Sequence, residues 1–219
     1  MLSERFIART IDIVERGLLP DFFIRASIRY LLRQRLKSEE GETLDEEAQK
    51  ARVRAFVEKS KDSPIAFQTN KANEQHYEVP AEYFLRSLGP HLKYSCCHWP
   101  DDVNSLAEAE ASALAVTCKR AGLADGQKIL ELGCGWGSLS LWMAEHFPGS
   151  SVTAVSNSNS QREFIEARAK EQGLTNLQIV TADMNDFQSD KSFDRVVSIE
   201  MFEHMRNYEL LLSRIADWL

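Results

Sequence analysis

The segment Lys128–Ser138 most constrains the fold, because a short apolar run passes directly into a glycine-rich turn. Residues 129–132 are apolar except for Glu131 and suit a buried parallel strand. The turn carries glycine at alternate positions: Gly133, Gly135 and Gly137. Glycine adopts positive φ readily and lets the backbone approach a ligand, and the start of the next helix presents unpaired N–H groups. The segment therefore predicts a strand, a turn and a helix that together hold a nucleotide.

The glycine spacing also bears on which nucleotide is held. A dinucleotide site has the pattern G-x-G-x-x-G and an acid about 20 residues later, at the end of the second strand. Here the third glycine comes one residue early, and the second strand is followed by Ser156 and Asn157. Glu131 instead precedes the turn, where it can meet a cationic group. These features favour S-adenosylmethionine over NAD, although a tight turn without any ligand has the same local pattern.

Composition excludes several functional classes. The chain has 219 residues, 43% of them hydrophobic, and a formal net charge of −7, which argues against a general nucleic-acid binder. The cysteines lack zinc-ligand spacing, so we expect reduced thiols and no metal: Cys96, Cys97, Cys118 and Cys134. Neither a signal-peptide core nor a membrane span is present, which leaves the cytoplasm as the expected compartment.

Strand and helix patterns alternate through the second half of the chain. The predicted strands are 128–132, 151–155, 177–181 and 194–199. The predicted helices are 106–121, 137–146, 159–172 and 204–218. This alternation predicts an α/β fold with a parallel, doubly wound sheet and a ligand at the carboxyl ends of its strands.

The first half of the chain has a different character. Residues 3–60 follow a helical pattern with a break near Gly17 to Pro20, and residues 61–105 are irregular and aromatic, as in an active-site lid. The predicted helix 21–37 carries arginine at four-residue intervals. Such a helix can lie on an anionic membrane, but a solvated arginine face is commoner and is favoured. We therefore expect residues 1–105 to form a helical extension with a lid, and residues 106–219 to form the cofactor domain.

Two groups of polar residues follow the later strands. Asp183 and Met184 come after the third strand, where they can frame an adenine ring, or where Asp183 can cap a turn. Glu200, Glu203 and His204 come after the fourth strand, and a helical turn there would bring their side chains together. A carboxylate or imidazole can accept the proton of an amine before methyl transfer. Alternatively, acidic residues at the start of a helix have no catalytic role and only stabilise the helix dipole.

From His76 onwards the sequence resembles the cyclopropane-fatty-acid-synthase-like family of class I S-adenosylmethionine-dependent methyltransferases. Within that family it is most similar to the coclaurine and pavine N-methyltransferases. The matching segments, in chain order, are residues 76–78, 94–96, 130–137, 156–161 and 198–205. The resemblance implies a Rossmann-like fold, with S-adenosylmethionine as cofactor and S-adenosylhomocysteine (SAH) as product.

The resemblance also implies roles for individual residues. The implied cofactor-binding residues are Tyr94, Ser95, Glu131, Gly133, Gly135, Gly137, Asn157, Gln161, Asp183, Met184 and Ile199. The implied catalytic residues are Glu203 and His204, assisted by Glu200, and the implied substrate-facing residues are Tyr77, Glu78 and Cys96. Cyclopropane synthases usually have glycine where this chain has Glu200, whereas the N-methyltransferase branch is acidic there. This difference favours a small, aromatic or alkaloid-like amine as the substrate.

The class I sheet has seven strands, of which we find four, so the sheet is expected to be incomplete. We expect that the chain is truncated or cleaved and lacks the C-terminal part of the domain, or that a complementing C-terminal segment lies on another chain, or that two copies exchange elements in a homodimer. Two alternatives to amine methylation remain open at this stage. One is cyclopropane-type methylation of unsaturated lipid, for which the resemblance implies a bicarbonate base held by Cys96, Glu203 and His204. The other is a cofactor-binding or dimerising fragment without catalysis.

Overall fold

The computed structural model describes residues 4–40, 46–67 and 80–219. The chain divides into two compact units, residues 1–57 and 58–219. The predicted boundary at residue 105, between a helical extension with a lid and the cofactor domain, stays a prediction. In the described ranges, no helix is both long and apolar enough to cross a membrane.

The N-terminal region is helical, as its periodicity predicts. Helix α1 spans Glu4–Glu15, α2 spans Asp21–Glu40 and α3 spans Glu46–Lys61. The predicted break near Gly17 to Pro20 is confirmed, and Gly17 has a positive φ of 67°. In α2, Arg25 pairs with Asp21 one turn earlier, and both side chains are exposed.

Four strands form a parallel sheet at the centre of the second unit. They are β1 (Lys128–Leu132), β2 (Ser151–Ser156), β3 (Leu177–Thr181) and β4 (Arg195–Val197). Their order is β3-β2-β1-β4, and Leu130 of β1 is in register with Thr153 of β2 and Val196 of β4. The predicted parallel α/β sheet is confirmed, with β1 at an inner position and its apolar residues fully buried.

Helices cover both faces of this sheet. The described α-helices of the second unit after α3 are α4 (Ala81–Ser87), α5 (Leu106–Arg120), α6 (Ser138–His146), α7 (Asn159–Glu171) and α8 (Tyr208–Trp218). Leu114 of α5 and Met143 of α6 pack with Ile129 of β1 on one face. Leu211 of α8 packs with Leu130 on the other face, which makes the sheet doubly wound. Side chains cap several helix starts, and Ser105 forms a reciprocal capping box with Glu108 at α5.

Three local predictions are corrected by the structure. The stretch 61–105 is not wholly irregular, since it contains α4. Strand β4 ends at Val197 instead of residue 199, and the Ser198 hydroxyl donates to the Leu132 carbonyl at 2.9 Å. Helix α8 begins at Tyr208 instead of residue 204, because Asn207 caps it by accepting a hydrogen bond from the Leu210 amide at 3.0 Å.

Candidate cofactor and substrate site

A cavity of about 270 Å³ lies where β1, β2, β3 and β4 reach their carboxyl ends. Such an edge is where open α/β sheets bind ligands. Predicted site residues from several separate segments line it: Tyr94, Ser95, Glu131, Gly133, Gly135, Asn157, Gln161, Met184, Ile199, Glu200, Glu203 and His204. The fold therefore brings together segments that lie more than 100 residues apart in the sequence.

Glu131 lies at the end of β1 and is only 2% exposed. Burial raises the pKa of its carboxyl group to about 7, although the hydrogen bond donated by the Ser140 hydroxyl opposes that shift. Burial also raises the pKa of the neighbouring Cys134 thiol, and the charge of Glu131 adds to this effect. Cys134 therefore lines the cavity as a neutral thiol. Glu131 is the group that can supply the counter-charge for a cationic ligand.

The three glycines of the turn all have positive φ, but they differ in their surroundings. A Cβ at Gly133 would lie 2.9 Å from Met201, and one at Gly137 would lie 2.7 Å from Ile165 of α7. These two glycines are thus required by packing, and Gly137 is not among the lining residues. A Cβ at Gly135 would meet no atom within 4 Å among the described residues, apart from its two chain neighbours. Gly135 is therefore the position at which the turn leaves room for a ligand.

Two buried polar groups of the cavity lack a partner within the described part of the chain. Gln161 is 2% exposed, and its Oε1 accepts a hydrogen bond from Ser156 at 2.6 Å, but its Nε2 has no acceptor there. The Ser138 hydroxyl, at the first residue of α6, is likewise unpaired. Unsatisfied buried donors are costly, so a ligand with hydroxyl or ring-nitrogen acceptors fits this wall.

The residues after β3 differ from each other in their environment. Met184 is buried and lines the cavity. Asp183 is not among the lining residues, and its Oδ1 accepts a hydrogen bond from the Asn185 amide at 2.8 Å. Asp183 thus stabilises a turn, which is the alternative that its sequence position left open, and its predicted role toward adenine stays a prediction.

Glu200, Glu203 and His204 all line the cavity, but not through a shared helical turn. The 3₁₀ turn comprises Phe202–His204, and Glu200 precedes it with a φ of 52°. The predicted turn from 200 to 204 is therefore wrong in its extent. All three side chains are exposed in the described structure, which leaves them open to a substrate.

The segment from Leu92 to Ser95 forms another side of the cavity. Tyr94 is 62% exposed, and its ring meets Phe84 edge-on at 5.6 Å, while Phe84 in turn packs on Trp136 of the glycine turn at 4.8 Å. Cys96 is exposed and is not a lining residue. Tyr77 and Glu78 lie outside the described residues.

The sequence did not predict two polar residues of this site. Lys93 is 8% exposed and lines the cavity, and Ser138 was overlooked as a polar group. Lys93 directly precedes the Tyr94-Ser95 pair, and Ser138 directly follows the glycine turn, so adjacency to a motif was the available indication.

Comparison with known proteins identifies the family. Residues 66–218 match the model of the mycolic acid cyclopropane synthetase family. The chain belongs to this family. It is 38% identical to (S)-coclaurine N-methyltransferase of Thalictrum flavum subsp. glaucum over 99% of this chain and 60% of that protein. It is 34% identical to pavine N-methyltransferase of the same plant, over 97% and 59% of the two chains.

A solved structure agrees with these relatives. The crystal structure of coclaurine N-methyltransferase bound to N-methylheliamine and SAH covers 97% of this chain, with a TM-score of 0.86 and 38% identity. This chain spans about 60% of the length of the relatives that it matches. The resemblance to cyclopropane-synthase-like proteins near the coclaurine branch, and the Rossmann-like class I methyltransferase fold, are both confirmed.

Proposed function

We propose that the protein is an S-adenosylmethionine-dependent N-methyltransferase that acts on a small aromatic or alkaloid-like amine. One observation carries this proposal. A single cavity is lined on one side by the open glycine, Gly135, and by Gln161, whose Nε2 has no acceptor among the described residues. The same cavity is lined on another side by Glu200, Glu203 and His204. The 38% identity to a coclaurine N-methyltransferase supports an amine as the acceptor.

The residues of the cavity divide between the two ligands. The wall of Glu131, Gly135 and Gln161 suits the cofactor, since it offers a carboxylate, an open backbone and an unpaired donor. When bound, the cofactor supplies the methyl group that the amine nitrogen accepts. Glu203 and His204 can hold the amine and accept its proton, because a protonated amine has no free lone pair. We include two further roles in the same proposal. Asn157 binds the ribose of the cofactor, and Asp183, Met184 and Ile199 contact its adenine ring.

The experiment that tests the function is a transfer assay with labelled S-adenosylmethionine. The chain is incubated with a panel of aromatic amines and, separately, with vesicles of unsaturated phospholipid. We expect label on the nitrogen of an amine. Label in the lipid, with dependence on bicarbonate, would instead establish the cyclopropane-type reaction. SAH binding without any transfer would identify a cofactor-binding fragment.

The roles of Glu203 and His204 have their own test. Substituting both by alanine should lower turnover of the amine strongly and leave SAH affinity nearly unchanged, since neither residue belongs to the proposed cofactor wall. An equal loss of SAH affinity would refute that assignment. Cys96 does not line the described cavity, and its implied place facing the substrate stays a prediction. The homodimer, the complementing C-terminal segment and the cytoplasmic location remain predictions from the sequence.

A further inference from the structure

Lys93 is a buried cation that the proposed chemistry has not used. Its side chain lies in the cavity wall, and its ammonium donates a hydrogen bond to the Ser95 hydroxyl. A lysine ammonium has three hydrogen-bond donors, so one hydroxyl leaves it incompletely paired. In the described parts of the chain, no carboxylate forms a salt bridge with it.

An acidic residue that contacts this segment, Glu110, binds the backbone instead of this ammonium. Glu110 of α5 is 1% exposed, and its carboxylate accepts hydrogen bonds from the amides of His91 and Lys93, at 2.9 and 3.1 Å. The intervening Leu92 has a φ of 51°, so these bonds hold a backbone conformation that leucine rarely adopts. Glu110 therefore fixes the segment that carries Lys93 and leaves the lysine side chain for the cavity.

The cavity thus has one buried acid and one buried base, Glu131 and Lys93. Burying a charged group without a counter-ion costs free energy. That cost applies to the Glu131 carboxylate and to the Lys93 ammonium, because they do not pair with each other. A ligand group that carries an ammonium and a carboxylate together would satisfy both. The amino-acid end of S-adenosylmethionine or SAH has these two groups on one carbon atom.

We infer that Lys93 binds the carboxylate of the cofactor's amino-acid end, with Ser95 orienting its ammonium, while Glu131 binds the amino group of the same end. This inference rests on the proposed function, because it takes the cofactor from there. It makes Lys93 the residue that distinguishes the intact cofactor from adenosyl compounds that lack the carboxylate.

Two ligands and three variants test this inference by calorimetry, without an activity assay. The ligands are SAH and decarboxylated SAH, which keeps the ammonium and lacks only the carboxylate. Lys93→Met should lower SAH affinity at least about tenfold, as expected for loss of a charge-assisted hydrogen bond, and leave the affinity for decarboxylated SAH unchanged. Lys93→Arg should restore most of the SAH affinity. Glu131→Gln should weaken both ligands alike, because both carry the ammonium.

The outcomes separate this inference from the function on which it rests. Equal losses for both ligands in Lys93→Met, with normal binding by the wild-type protein, would overturn the role of Lys93 alone and indicate a structural effect. Failure of the wild-type protein to bind SAH would overturn the proposed function together with the inference. Selective loss of SAH binding, rescued by arginine, would establish the contact.

Discussion

The Ser140 hydroxyl of α6 donates a hydrogen bond to Oε2 of Glu131, and both residues are buried. This bond fixes the carboxyl group at the end of β1 beneath the glycine turn. One hydroxyl does not replace the water that a free carboxylate would have, which is why burial dominates and raises the pKa of Glu131 to about 7. A site built in this way responds to pH in two measurable respects.

The first response is in the free energy of unfolding. The pKa of Glu131 is raised from 4.5 to about 7 in the folded protein. Its contribution to stability is therefore fully present below pH 4.5 and is lost as the pH rises through 7. At 1.36 kcal/mol per pKa unit the loss is about 3 kcal/mol. Urea unfolding across this range should show the loss in the wild-type protein and not in Glu131→Gln; parallel pH profiles for the two proteins would count against it.

The second response is in cofactor binding. A ligand ammonium favours the ionised carboxylate, so SAH affinity should rise as the pH rises toward and through 7, and binding should release protons. Calorimetry near pH 7 in buffers of different ionisation enthalpy would measure the release, which we expect to be about half a proton. In Glu131→Gln the part of the binding enthalpy that depends on the ionisation enthalpy of the buffer, and that comes from deprotonation of Glu131, should be lost. A wild-type enthalpy that is independent of buffer would contradict the contact.

Gly135 and Gly126 form a matched pair for testing the open glycine. Both have positive φ, 51° and 87°, and at both an added Cβ would meet nothing within 4 Å, but only Gly135 lines the cavity. Alanine at either position should cost about 1 kcal/mol of stability for the backbone conformation. Only Gly135→Ala should also weaken SAH binding, because its methyl group occupies ligand space. Similar SAH affinities for the two variants would show that the ligand does not approach Gly135.

Glu200 occupies a backbone conformation that favours glycine, with a φ of 52°. Glycine and alanine at this position both remove the carboxylate, but only glycine relieves the conformational cost. Glu200→Gly should therefore be more stable than Glu200→Ala by about 1 kcal/mol, and both should lose amine turnover. Thermal melts and initial rates would measure the two effects. Full turnover in Glu200→Gly would mean that the carboxylate is dispensable.

Glu110 should act on the cofactor through the segment that it anchors. Glu110→Ala leaves the part-buried amide of His91 and the buried amide of Lys93 without their acceptor, at about 1–3 kcal/mol for a fully buried amide. Hydrogen exchange of amides in residues 89–95 should accelerate, and SAH affinity should fall. Glu110→Gln retains one acceptor and should show smaller changes in both. Unchanged exchange in Glu110→Ala would show that other contacts hold the segment.

The sequence predicted the sheet well and the details of the site less well, for identifiable reasons. Strand β1 was predictable because its apolar run and the glycine turn are both local patterns. The end of β4 was not, because it coincides with a bond from the Ser198 hydroxyl to the Leu132 carbonyl, 66 residues away in the sequence. Lys93 was missed for a similar reason: a lysine in sequence suggests solvent, and only the assembled fold buries it.

One side of the cavity, at Ala66, is joined to later parts of the chain by long-range hydrogen bonds. Asn185 exchanges two hydrogen bonds with the backbone of Ala66 across 119 residues, and Asn207 donates to the carbonyls of Lys61 and Ser63 across 146 and 144 residues. Closing such loops costs chain entropy that local contacts do not repay, so this wall forms after the strands have paired. During synthesis on the ribosome, Lys61 and Ser63 can form these hydrogen bonds only after residue 207 has emerged. Ala66 and Phe67 line the cavity, so this part of its wall depends on residues 185 and 207 being in place.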